Sequence, residues 1–112
     1  LEVYQWLISL GKQLVENPLS KEKHTESNRV SRCQYDLFVD REDDKFKAFS
    51  NAMIAGGYAY ILVDIFNSVS DEEAKKITVE DFKKIKLDEM LTMNRQTGFY
   101  QMIEMMLKKI NG

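Results

Sequence analysis

The chain has few of the residues that cross-link small folds, and few of those that break helices and strands. It has one cysteine, one proline and five glycines in 112 residues. A single cysteine cannot form a disulfide within the chain, so nothing indicates an oxidising compartment. A hydrophobic fraction of 44% and an aromatic fraction of 11% are ordinary for a globular protein and exclude a disordered chain. The composition therefore predicts a single globular domain over residues 1–112.

Long apolar runs and a large excess of one charge are also missing. The longest apolar stretch, residues 55–66, is too short to span a bilayer and contains Asp64. No basic segment leads into an apolar run as in a signal peptide, so we expect a cytoplasmic protein without a membrane. A chain that begins with Leu1 also fits a fragment of a longer protein. The net charge of −2 argues against a broadly basic nucleic-acid binder.

Apolar residues recur every three or four positions along much of the chain, which predicts helices over residues 2–16, 42–68 and 96–110. Two capping-box patterns, beginning at Ser70 and Thr78, predict two shorter helices between the last two of these. We therefore predict an all-α fold, an irregular bundle of about four to five helices. The stripe expected to be buried in the central helix consists of Phe46, Phe49, Met53, Gly56, Tyr60 and Val63.

Three details refine this bundle. Gly56 and Gly57 lie in the middle of the predicted central helix, where glycine is unfavourable, so we expect another helix to approach closely there. The polar segment 19–29 is predicted to be a flexible loop. Residues 33–39 alternate between apolar and polar as in a strand, but no second strand of equal quality is evident. We therefore allow only a possible short extended segment there and favour helix or extended loop.

No pattern in the sequence predicts a catalytic, metal or cofactor site. His24 is the only histidine and lies far along the chain from Cys33, so a zinc site is not expected. Cys33 has no neighbouring base or local signature of a nucleophile, and we interpret it as a small half-buried residue. The acidic run 40–44 lacks the glycine of a calcium loop and is interpreted as the first turn of the central helix. These observations predict a protein that is not an enzyme.

The end of the chain carries the clearest indication of a partner, because five of the six methionines lie in the last quarter. Methionine adapts to irregular contacts and is frequent on promiscuous binding surfaces. We therefore predict a non-catalytic protein–protein interaction or regulatory module, an adaptor that binds another protein or forms a homodimer. The candidate partner-binding residues are Met93, Met105, Arg95 and Gln101.

The alternative is a small DNA-binding regulator. Residues 87–109 resemble a degenerate helix-turn-helix, in which Arg95, Gln96, Thr97 and Gln101 would face bases or phosphates. The basic excess of the last third is small, with six basic and three acidic residues over 82–112. Nucleic acid is therefore the less favoured partner.

Overall fold

A computed structural model of the protein describes residues 2–111. A long helix opens the chain, a two-stranded sheet follows, and four helices complete it. In chain order the elements are α1 (Glu2–Glu16), β1 (Leu37–Glu42), β2 (Lys45–Ser50), α2 (Met53–Asn67), α3 (Asp71–Ala74), α4 (Val79–Lys84) and α5 (Met93–Asn111). Three single turns of 3-10 helix, at 21–23, 26–28 and 88–90, lie in the connections.

The prediction of an all-α bundle is wrong, because β1 and β2 form an antiparallel hairpin. Its two-residue turn is Asp43-Asp44, and both aspartates have positive φ angles, 55° and 66°. Positive φ at both central residues is the geometry that continues the twist of the two strands. The acidic run therefore forms a hairpin turn and does not start the central helix. The possible extended segment near 33–39 forms a strand only from Leu37 onward, and this strand pairs with β2.

The start of the predicted central helix was misplaced, because residues 45–50 are a strand and α2 begins only at Met53. Lys45–Ser50 alternates exposed and buried positions in the two-residue period of a strand. The predicted stripe is consequently wrong for Met53, which is 52% exposed, although Phe46 is buried. The face of α2 that enters the core consists of Ala55, Tyr58, Ala59, Leu62 and Phe66.

The expected close approach of a helix at Gly56 and Gly57 is confirmed, and the neighbour is α1. A Cβ on Gly57 would meet the backbone of Leu7, 2.8 Å from its carbonyl carbon. A Cβ on Gly11 would lie 2.7 Å from the carbonyl oxygen of Met53. Gly56 is less confined, because its Cβ would lie 3.4 Å from the Cα of Gly11. Two glycines facing each other thus allow the backbones of α1 and α2 to touch.

The segment 19–29 packs over the outer face of the hairpin. The ring of His24 stacks on Phe38 and Phe49, with centroids 4.9 and 4.5 Å away. The backbone N–H of Leu19 donates to the carbonyl of Ala48 at 3.1 Å. The buried Asn28 accepts a hydrogen bond from the ammonium of Lys109 at 2.7 Å. The flexibility of this segment stays a prediction, and these contacts identify the residues that would restrain it.

Helix α5 packs against α2 and β1. The helix predicted over residues 96–110 is confirmed, and it buries Phe99, Met102, Ile103 and Met106. Residues 87–109 hold this one helix, preceded by a single 3-10 turn at 88–90, and so lack the helix pair of the predicted helix-turn-helix. None of the helices in residues 2–111 is long and apolar enough to cross a membrane.

Candidate functional site

The candidate site surrounds Cys33, which lies in the connection that leads into β1. This connection starts at an isolated bridge between Arg29 and Phe38, and the N–H of Val30 donates to the carbonyl of Leu37 at 2.8 Å. The N–H of Cys33 then donates to the carbonyl of Val30 at 3.1 Å, which closes a tight turn. The turn presents Cys33 as a half-buried free thiol.

Helix α5 holds the connection over residues 30–36, here called the cysteine loop, in place through one side chain. The amide oxygen of Gln101 accepts a hydrogen bond from the backbone N–H of Arg32 at 2.7 Å. The amide nitrogen of the same residue donates to the hydroxyl of Ser31 at 2.9 Å. A loop tied at two consecutive residues next to the cysteine has little freedom to reorient, so the thiol keeps a defined direction.

The thiol faces an open pocket of about 570 Å³ between the cysteine loop, α1 and the first turns of α2 and α5. Among the described residues that line it, Arg95 is the only charged one. Tyr35 and Met53 are lining residues with large apolar side chains, 53% and 52% exposed. Met93 lies in the chain between the lining residues Thr92 and Asn94 and is 82% exposed. We call these three residues the apolar rim. Exposed apolar groups gathered around a pocket are typical of a surface that receives another molecule.

Tyr58 forms the inner wall of the pocket and is 2% exposed. Its hydroxyl is buried and has no hydrogen-bond partner among the described residues. Burial raises the pKa of the Tyr58 phenol far above its usual value, and the nearby thiol of Cys33 raises it further. Arg95 lowers that pKa slightly, without reversing the shift. The phenol therefore stays protonated at physiological pH and can act as a hydrogen-bond donor toward the cysteine.

Gly98 of α5 provides the space in which Tyr58 and Cys33 meet. A Cβ on Gly98 would lie 2.7 Å from the hydroxyl oxygen of Tyr58. It would lie 3.4 Å from the Cβ of Cys33, which is ordinary van der Waals contact. A side chain at position 98 would therefore displace the phenol before it displaced the cysteine.

Three of the four predicted partner-binding residues lie around this site. Arg95 lines the pocket, with its guanidinium 5.8 Å from the ring centroid of Tyr4. Gln101 holds the cysteine loop, and Met93 belongs to the apolar rim. Met105 is not part of the group, because it lines a different pocket with Asp40 and Lys109.

Cys33 itself was not among the predicted partner-binding residues. No residue near Cys33 in the sequence could act as a base, so Cys33 was interpreted as a small half-buried residue. The signal that could have pointed to it is its position in the turn that leads into β1, four residues before Leu37. Within residues 2–111, no three metal-ligating side chains lie close enough together to hold an ion.

Comparison with known proteins shows the family to which the chain belongs. Residues 1–110 match SufE, described as an Fe-S metabolism associated domain. An uncharacterized SufE-like protein of Synechocystis is 28% identical over 110 residues, which cover 95% of this chain and 68% of the relative. Another, of Rhizobium etli, is 32% identical over 110 residues, which cover 90% of this chain and 73% of the relative. The chain therefore belongs to the SufE family of Fe-S metabolism associated domains.

Proposed function

We propose that this chain is a sulfur-transfer accessory protein in which Cys33 carries sulfur between partner proteins. SufE family members are sulfur-transfer accessory proteins rather than classical enzymes, and they act with partner proteins in Fe-S metabolism. The observation that carries the proposal is the position of the chain's one cysteine. Cys33 is a half-buried thiol in a restrained loop at the edge of a pocket with an apolar rim.

The proposed chemistry is an exchange at sulfur. A donor protein presents a persulfide, and the thiolate of Cys33 attacks its outer sulfur. A new sulfur–sulfur bond forms on Cys33, the bond in the donor breaks, and the donor cysteine leaves as a thiolate. The attack involves one electron pair throughout, so no external oxidant or reductant is required. Cys33 then holds the sulfur as a persulfide until an acceptor thiolate removes it by the same type of attack.

The pocket supplies two conditions that this chemistry needs. An anionic outer sulfur is more stable near a positive charge, and Arg95 brings a guanidinium to the pocket. A persulfide is also lost if small thiols in solution reach it. The wall of the pocket, which includes Ile54, Ala55 and Tyr58, covers one side of the site.

The apolar rim is the proposed contact surface for the partner proteins. Tyr35, Met53 and Met93 lie on the loop and helix ends around the pocket, each more than half exposed. A partner that covers them buries apolar area and brings its own cysteine over Cys33 in one docking event. This assigns the predicted protein-binding role to the surface around the cysteine, and Met93 and Arg95 become its contact residues.

The test uses the whole chain and a small persulfide donor. The protein is incubated with glutathione persulfide, freed of excess reagent and analysed by intact mass spectrometry. We expect one added sulfur atom that dithiothreitol removes as sulfide. Because the chain has no other cysteine, Cys33→Ser is a clean control and should take up no reducible sulfur.

The proposal fails if the wild-type protein gains no sulfur while a control peptide with an unhindered cysteine gains it under the same conditions. It also fails if sulfur bound to the wild type is not recovered as sulfide on reduction. Either result would leave Cys33 as a residue of the fold only.

A further inference from the structure

The hydroxyl of Tyr58 is an unexplained polar group in the core. The residue is 2% exposed and the oxygen has no hydrogen-bond partner among residues 2–111. A buried hydroxyl without a partner destabilises a fold, because it has given up its bonds to water. Phenylalanine would fill nearly the same space without that cost. A tyrosine at this position is accounted for if the hydroxyl gains a partner in another state of the protein.

The neighbours of the hydroxyl indicate which state this is. Position 98 of α5 is a glycine. A Cβ built on it would lie only 2.7 Å from the hydroxyl oxygen of Tyr58. The Cβ and Cα of Cys33 lie 3.4 and 3.5 Å from the same point. The phenol and the cysteine thus converge on one small space between α2, α5 and the cysteine loop, at the inner end of the pocket.

We propose that Tyr58 is a positioning residue whose hydroxyl donates a hydrogen bond to the outer sulfur of the Cys33 persulfide and holds that sulfur inside the pocket. The inference rests on the proposed function, since it concerns the sulfur-loaded form of Cys33. A persulfide extends the side chain by one sulfur–sulfur bond, about 2 Å. The added atom carries negative charge, and a hydrogen bond to a charged acceptor is stronger than one to a neutral thiol.

This arrangement gives the protein a means of protecting its cargo. With its outer sulfur turned inward against Tyr58, the persulfide is shielded from small thiols in solution. A docked acceptor would draw the sulfur outward, which breaks one hydrogen bond. The hydroxyl that lowers stability in the sulfur-free protein thus stabilises the loaded one, a trade-off found where function and stability compete.

The test compares the release of sulfur from Tyr58→Phe and from wild type. Both proteins are loaded with glutathione persulfide, desalted and treated with dithiothreitol, and sulfide is followed over time. We expect Tyr58→Phe to take up as much sulfur as wild type but to release it about tenfold faster, which corresponds to ~1.4 kcal/mol. Its melting temperature without sulfur should be equal to or above that of wild type, because the unpartnered hydroxyl is gone.

Two further variants make the comparison specific. Tyr60→Phe removes a hydroxyl from the same helix, but Tyr60 lines a separate pocket with Phe46 and Asn67, so its release rate should match wild type. Gly98→Ala should displace the phenol and also speed release. Adding Tyr58→Phe to Gly98→Ala should then have no further effect, because the same contact is already lost.

The outcomes separate this inference from the proposed function. Equal release rates for wild type and Tyr58→Phe, with both fully loaded, overturn the inference and leave Cys33 as the sulfur carrier. A lower melting temperature for Tyr58→Phe also overturns it, because the hydroxyl would then be structural. If the wild type takes up no sulfur, the proposed function itself is wrong.

Discussion

The crossing of α1 and α2 allows a sharp test of the packing, because two adjacent glycines differ in what surrounds them. Gly56 and Gly57 both lie inside α2, so alanine at either position gains about 1 kcal/mol of helix propensity. A Cβ on Gly56 would be in ordinary contact with Gly11 at 3.4 Å. A Cβ on Gly57 would overlap the carbonyl group of Leu7, with its carbon 2.8 Å away.

The overlap at Gly57 is with backbone, which cannot rotate away, so α1 and α2 would have to separate. Overpacking of this kind costs about 1–3 kcal/mol. Because the gain in helix propensity is common to both variants, the difference between them measures the contact alone. We expect Gly56→Ala to be as stable as wild type or up to about 1 kcal/mol more stable. We expect Gly57→Ala to be about 1–3 kcal/mol less stable than Gly56→Ala.

The assay is urea unfolding of wild type, Gly56→Ala and Gly57→Ala, followed by circular dichroism. The midpoints and slopes give the free energy of unfolding of each. Gly57→Ala at or above the stability of Gly56→Ala would refute the close crossing at Leu7. The comparison needs no knowledge of function.

Three further outcomes follow from other parts of the structure. His24→Ala removes the stacking on the hairpin and should speed tryptic cleavage within 19–29 relative to wild type. Met93→Asp should slow sulfur loading from a protein donor but not from glutathione persulfide, whereas Met105→Asp, in a separate pocket, should leave both rates unchanged. Burial raises the pKa of Asp40, but the N–H of Arg41 and the ammonium of Lys109 outweigh it and the net shift is downward. Its ionised form therefore stabilises the fold above about pH 4. That contribution should be lost as pH falls further, so the stability difference between wild type and Asp40→Asn should shrink in acid.

The helices were predictable where their ends or faces carry local signals. The helix predicted over residues 2–16 from its apolar periodicity has the bounds of α1. Both predicted capping boxes are also present, because Ser70 and Thr78 each accept a hydrogen bond from the third residue of the helix they start. The helix predicted over residues 96–110 also lies within α5. Such signals involve residues within one or two turns of each other, so the sequence alone is enough to detect them.

The hairpin was missed because its signals compete with a helical pattern. Phe46, Phe49 and Met53 are spaced as on one face of a helix, although Phe46 and Phe49 point to opposite sides of β2. The turn uses Asp43-Asp44 where a glycine or asparagine would have marked a two-residue hairpin. Residues 45–50 form a strand because they pair with β1 and pack against α2, and both of these contacts involve other parts of the chain.

The candidate site was harder to predict than the fold, since it is assembled from distant segments. Cys33 lies on a loop, Tyr58 on α2, and Gly98 and Gln101 on α5. Each has an ordinary interpretation in its own neighbourhood: a small cysteine, a core tyrosine, a helix glycine. Only the packing of α5 against α2 and the loop shows that they share one space.

The most direct test of the central claim follows one sulfur atom through Cys33. Protein loaded with radiolabelled sulfur is freed of donor and mixed with an acceptor protein that assembles Fe–S clusters. The account predicts that label leaves this chain and appears on the acceptor in equal amount, and that Cys33→Ser delivers none. Label that stays on the chain, or sulfur that reaches the acceptor equally well with Cys33→Ser, would contradict a role as sulfur carrier.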